Sequence, residues 1–75
     1  MEEGWICIID KDGDEQVLPI SQIFLETVSN SSNQTQSHCV HLVKNNHYWW
    51  VKKRQFEMLR DYLTGAREDY RPIDE

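Results

Sequence analysis

The chain has little of what usually holds a very small domain together. Its 75 residues include two cysteines, three glycines and two prolines. Cys7 and Cys39 are too few for a disulfide framework, so each reads as a reduced, small hydrophobe. Three glycines leave no glycine-rich loop of the kind that cradles a phosphate. No apolar run approaches the roughly 20 residues that a membrane helix needs. The opening Met-Glu-Glu-Gly-Trp has no basic stretch ahead of an apolar one, so no signal peptide and a cytoplasmic location are expected. Positive charge is scarce too: eight Lys and Arg stand against 13 Asp and Glu, for a net charge of −5. That balance disfavours non-specific binding to nucleic acid, which depends on neutralising phosphates.

Aromatic and aliphatic residues are there in quantity. Three Trp, three Tyr and two Phe, within 39% hydrophobic residues, support a folded core and exclude global disorder. The length allows one domain, and domains of this size are marginal alone and often gain stability by self-association.

Residues 4–9 form an apolar run that reads as a first strand, and Asp12-Gly13 after it signals a hairpin. A return strand over Gln16, Val17 and Leu18 is interrupted by Pro19, which cannot donate to a ladder. A turn over 19–22 and a strand over 23–29 follow; a helix over 20–28 is the competing reading. The polar stretch Asn30–Ser37 reads as a solvated loop, although Asn30-Ser31-Ser32 and Asn33-Gln34-Thr35 are formal glycosylation acceptors. Residues 38–44 and 47–53 then pair as a second hairpin across Asn45-Asn46. The spacing of Phe56, Leu59 and Leu63 predicts a helix over 55–64, and Gly65 suits its stop. The expected architecture is α+β: an antiparallel sheet of about four or five strands with one C-terminal helix on one face. Residues 1–66 make the domain, and residues 67–75 an acidic flexible tail.

A two-residue turn at Asn45-Asn46 sets Leu42 opposite Trp49 and His41 opposite Trp50. Opposed residues share a face and successive residues alternate. One face then holds Val40, Leu42, Trp49 and Val51, ready to meet the helix. The other holds Cys39, His41, Val43, Tyr48, Trp50 and Lys52, with no second helix to cover it. Trp5 also alternates to a free face. A contiguous exposed apolar area of this kind marks a partner site. A sheet curled so that all three Trp are core is the plain alternative.

Catalytic and metal chemistry find little support. Asp10-Lys-Asp-Gly-Asp-Glu resembles the start of a calcium loop, but Glu15 and Ser21 stand where that loop needs Gly and Glu. His38, Cys39, His41, His47 and Cys7 lack the close paired spacing of zinc ligands. Cys39 and His41 share a strand face without a cleft. No catalytic residue, metal or cofactor is therefore expected.

The stretches LPISQIFLETVS and VHLVKNNHYWWVKKRQFEMLRDYL, within residues 18–63, resemble the first half of a LytTR-type DNA-binding domain. The matching positions are Ile20, Ile23, Leu25 and Glu26, then Val51, Phe56, Leu59 and Leu63. Short flagellar FlbD-like proteins share the pattern. The resemblance implies a strand-hairpin-helix module and DNA binding, while the family's second half, which completes its DNA-reading loops, has no counterpart here.

The residues themselves favour a non-catalytic module that binds another protein, in the style of phage or mobile-element inhibitors of host machinery; that is an analogy of size and composition. Trp5, His41, Tyr48 and Trp50 are the expected contact residues, toward a partner or a second copy in a homodimer. Asp12, Asp14 and Glu15 could occupy a basic groove on a target. The alternative is a nucleic-acid accessory protein using hairpin 44–54, with Lys44, Lys52, Lys53 and Arg54 around the aromatics.

Overall fold

The structure, a computed structural model, describes residues 4–30 and 35–74. Five strands and one helix follow in order: β1 (Trp5–Ile9), β2 (Glu15–Pro19), β3 (Ile23–Asn30), β4 (Thr35–Leu42), β5 (His47–Val51) and α1 (Lys53–Leu63). A single 3-10 turn, Ile20–Gln22, sits between β2 and β3. The α+β class is as expected, and 20–28 is turn then strand, without a helix. The strands divide, however, into two antiparallel sheets, β1-β2 and β3-β4-β5. The break falls after Pro19, where the 3-10 turn redirects the chain and the ladder loses a donor.

Asp10 builds the first turn. Its carboxylate Oδ1 accepts from the amides of Asp12 at 2.9 Å and Asp14 at 3.0 Å, and Oδ2 accepts from Gln16 Nε2 at 3.2 Å. Burial opposes the charge on Asp10, but these donors outweigh it and hold the carboxyl below its ordinary pKa. The calcium-like stretch is thus a side-chain-capped turn, with Gly13 supplying φ 90°.

The core lies between the sheets and the helix. Ile6, Ile8, Leu18, Ile23, Val40, Leu42, Val51, Phe56 and Leu59 form one buried cluster, with Trp49 and Leu63 packed partly against it. The apolar face expected for the second hairpin, and its meeting with the helix, are both present. The pairing register differs: Leu42 faces His47, His41 faces Tyr48, Val40 faces Trp49 and Cys39 faces Trp50. The turn takes four residues, Val43 to Asn46; a two-residue loop would need φ > 0 at Asn45, for type I′ or II′, and only Asn46 (φ 51°) adopts it. Val43 therefore leaves the strand. The shift preserves the parity of the paired residues, so each face keeps its expected members apart from Val43 and Lys52, which lie outside the strands.

The helix starts at Lys53, earlier than expected, and ends in a Schellman motif. Ala66 N–H donates to Asp61 O at 2.9 Å and Gly65 N–H to Tyr62 O at 3.3 Å, with Gly65 at φ 86°. No helix among the described residues is long and apolar enough to cross a membrane.

Two expectations change around the termini and the loop. Thr35–Ser37, read as loop, is strand in β4, as Asn30 is in β3. Residues 31–34, with most of both glycosylation triplets, lie outside the described residues. Residues 67–74 carry no helix or strand, yet they do not lie loose. Tyr70 Oη donates to Cys7 O at 2.5 Å and accepts from Gln55 Nε2 at 2.9 Å. Gln55 Oε1, on a fully buried side chain, accepts from Ile9 N–H at 3.1 Å and Ile73 N–H at 3.0 Å. One amide thus joins helix, first strand and tail. Burial raises the Tyr70 hydroxyl to a pKa of about 12, against the opposing bond from Gln55.

Candidate functional site

The outer face of β3-β4-β5 is made by alternation. Phe24, Glu26 and Val28 come from β3, Cys39 and His41 from β4, and Tyr48 and Trp50 from β5. The register sets them in rows across the strands: Phe24–His41–Tyr48, then Glu26–Cys39–Trp50. No helix or sheet among the described residues covers this face. Phe24 is 58% exposed, Val28 48%, Tyr48 45% and Trp50 44%. These are large apolar groups on the wet side of a sheet, where polar residues normally alternate.

His41 is the fixed centre. Its ring stacks on Tyr48 with centroids 4.1 Å apart and planes 7° from parallel. Nδ1 meets Glu26 Oε2 at 3.0 Å and Nε2 meets Asn46 Oδ1 at 3.1 Å. Stacking and two polar contacts from two strands and the turn hold the ring, so the aromatic row is presented rigidly. Cys39 lies under this layer, 1% exposed. Burial, with Glu26 adding to it, raises its thiol pKa; burial and Glu15 do the same for Cys7. Thiols held protonated are poor nucleophiles, and the His41 nitrogens are occupied by Glu26 and Asn46 rather than by Cys39.

Trp50 stands between two open hollows. One, about 310 Å³, is lined by Lys11, Ser37, His38, Trp50, Val51 and Lys52. The other, about 290 Å³, joins Tyr48, Trp49 and Trp50 to Asp10, Lys11 and Asp12 of the first turn. Lys11 N–H donates to Trp50 O at 2.7 Å and fixes that turn against β5. The structure therefore brings Asp12 beside Tyr48 and Trp50. Asp14 and Glu15 are exposed on the same hairpin.

Trp5 does not join them. It is 63% exposed but lies on the two-stranded sheet, in a separate recess with Val17, Pro19, Leu42, Lys44 and Trp49. The one-sheet expectation had merged two surfaces. The basic residues are divided among these surfaces, with Lys52 lining the first hollow beside Trp50. Lys44 lines the Trp5 recess, Lys52 Nζ pairs with Asp74 Oδ1 at 3.1 Å, and Arg54 lines a hollow with Arg67, Arg71 and Ile73 on the helix–tail side. Lys53 is exposed at the helix start.

The histidines weighed as zinc ligands are spent on rings: His38 lies 4.8 Å from Phe56 and His47 4.3 Å from Trp49, centroid to centroid. Among the described residues no three His, Cys, Asp or Glu side chains converge on one point. Phe24 and Glu26 are members of the face that the sequence reading passed over, although their parity opposite Ile23 and Leu25 signalled it. No family model, curated protein or solved structure matches this chain.

Proposed function

We propose that this protein is a non-catalytic module that docks another protein on the outer face of its three-stranded sheet. The observation that carries the reading is the uncovered layer of Phe24, Tyr48 and Trp50 around a clamped His41. Trp and Tyr in such a layer supply large contact area at little loss of side-chain freedom, and they dominate interface energetics where they occur. The layer is rigid on the protein's side, which lowers the entropy lost on binding. Asp12 and Glu26 border it, so a partner carrying Arg or Lys around an apolar patch matches it best. Stoichiometric inhibition of such a partner is the form this binding takes in the reading.

The same charges weigh against nucleic acid. A stacking platform needs cations along the strand path; Lys11 and Lys52 stand beside Trp50, but Asp12 and Glu26 border the aromatics and Lys52 pairs with Asp74 at 3.1 Å.

Immobilised wild-type protein and Trp50→Thr, each shown folded by circular dichroism, test the reading with a lysate. A protein retained in fixed ratio by the wild type and lost at least about thirtyfold with Trp50→Thr is expected for a hot-spot Trp. Equal retention by both defeats it. Tight, salt-sensitive mobility shifts with mixed DNA or RNA would replace it with the nucleic-acid reading.

A further inference from the structure

The two sheets have four outer edges; that of β2 carries Pro19, and the other three end in different ways. The outer edge of β1 is sealed by side chains, since Gln55 takes Ile9 N–H and Tyr70 donates to Cys7 O. The outer edge of β5 meets the first turn, where Lys11 N–H reaches Trp50 O. The outer edge of β3 has no strand against it among the described residues. It runs from Ile23 to Asn30 without proline, lysine or arginine, the usual devices that blunt an edge.

Which backbone groups are open follows from the ladder. Trp50 O points away from β4, toward Lys11. Residues alternate along a strand, so 47, 49 and 51 bond to β4, and their partners 42, 40 and 38 point toward β5. Residues 41, 39 and 37 of β4 then point at β3, bonding Phe24, Glu26 and Val28. Leu25, Thr27 and Ser29 are left with N–H and C=O groups directed outward, and Ile23 with its C=O alone, because Ile23 N–H already donates to Ile20 O. This is a preformed strand-addition site.

We infer that a second copy of the chain fills it, β3 pairing antiparallel with β3 about a twofold axis through the Glu26 positions. The segment is self-complementary in this register. Leu25 exchanges two bonds with Thr27 of the other copy, and Ile23 C=O accepts one from Ser29 N–H, Ile23 N–H being held by Ile20 O. On the outer face Phe24 falls opposite Val28 twice, covering two of the most exposed apolar side chains. Centring on Thr27 instead would set Phe24 opposite Asn30 and Glu26 opposite Val28, and centring on Leu25 would align only residues 23–27. The chosen register joins two three-stranded sheets into one of six. It also places both aromatic faces on the same side, which doubles the docking surface. Two features oppose it: the Glu26 carboxylates meet across the axis, and Ile23 N–H is already bonded to Ile20 O. The inference does not rest on the proposed docking function: a dimer can form whether or not the outer face binds anything else.

Light scattering over a concentration series, with hydrogen exchange on the same samples, is the test. A dimer is expected, with the amides of Leu25 and Thr27 gaining protection as concentration rises, while those of Phe24, Glu26 and Val28 are protected throughout. Thr27→Pro removes an outward donor and leaves the β3–β4 ladder whole. It loses two intermolecular bonds per dimer, so the dimer should weaken about ten- to a hundredfold. Glu26→Gln should tighten it about two- to fivefold by removing like-charge contact. A monomer at all concentrations overturns the inference, as does a dimer in which Leu25 and Thr27 exchange at a concentration-independent rate. That exchange result decides the question even if Thr27→Pro fails to fold. No tightening with Glu26→Gln overturns the register.

Discussion

Trp50 and Val51 are neighbours on one strand and meet opposite fates. Val51 turns inward, joins Val40, Phe56 and Leu59, and is 6% exposed. Trp50 turns outward, beside His41 and Cys39, and stays 44% exposed, with no helix or strand among the described residues over it. The inner face is continuous across β1, β2 and α1 and is apolar but for Gln55. The outer face mixes aromatics with His41, Glu26 and a buried thiol, and is bordered by acids. Burial alone would have favoured the larger side chain inside. The difference shows that alternation, fixed by the strand, decides which residue stabilises the fold and which is left over for other uses.

The sharpest break between the two faces should come from the core. Leu59 is fully buried against both sheets, so Leu59→Ala should lower unfolding stability by about 2–5 kcal/mol in urea. In a domain this small that is enough to leave a large unfolded fraction. A smaller loss would mean the helix is peripheral.

Gln55 is a polar member of the inner region. Gln55→Leu keeps its volume but strips partners from Ile9 N–H, Ile73 N–H and the Tyr70 hydroxyl. A loss of about 2–4 kcal/mol is expected from the unsatisfied groups, together with faster tryptic cleavage after Arg67 and Arg71 as the tail comes away. Unchanged proteolysis would show that the tail is held by something else.

The pH dependence of the tail is smaller and has a definite sign. Tyr70 ionises at about 12 in the folded chain, against an ordinary value of 10.0. The folded state therefore holds the proton more tightly. The contribution is complete below pH 10 and is lost as pH rises through about 12. Tyrosinate absorbance should show one late-titrating tyrosine, and Gln55→Leu, by freeing the tail, should return it to the ordinary range. Three tyrosines titrating together would contradict the anchored tail.

These expectations also mark how far the sequence could be read. The turn at Pro19, the strand beginning at Ile23 and the helix through Phe56, Leu59 and Leu63 were legible because local periodicity carries them. The two faces of β4 and β5 were legible even with the register displaced, since a shift by two keeps parity. The split into two sheets was not legible, because it depends on how the 3-10 turn re-aims the chain. That error placed Trp5 with Tyr48 and Trp50. The anchoring of residues 67–74 was hidden for a related reason: Tyr70 and Ile73 are tied by a single amide far away in sequence. A signal existed in the helix, where Gln55 shares a face with Leu59 and Tyr62 at i, i+4 and i+7, but a lone glutamine at a helix start is ordinary.

The account rests on the outer face being dispensable for folding. Urea unfolding of Trp50→Thr beside Val51→Ala tests that directly. Val51→Ala removes far fewer atoms, yet it should lower stability by about 2 kcal/mol, while Trp50→Thr, which keeps strand propensity, should lower it by less than about 1 kcal/mol. If Trp50→Thr proves as damaging as Val51→Ala or more so, the aromatic layer belongs to the fold, and the docking surface proposed for it does not exist.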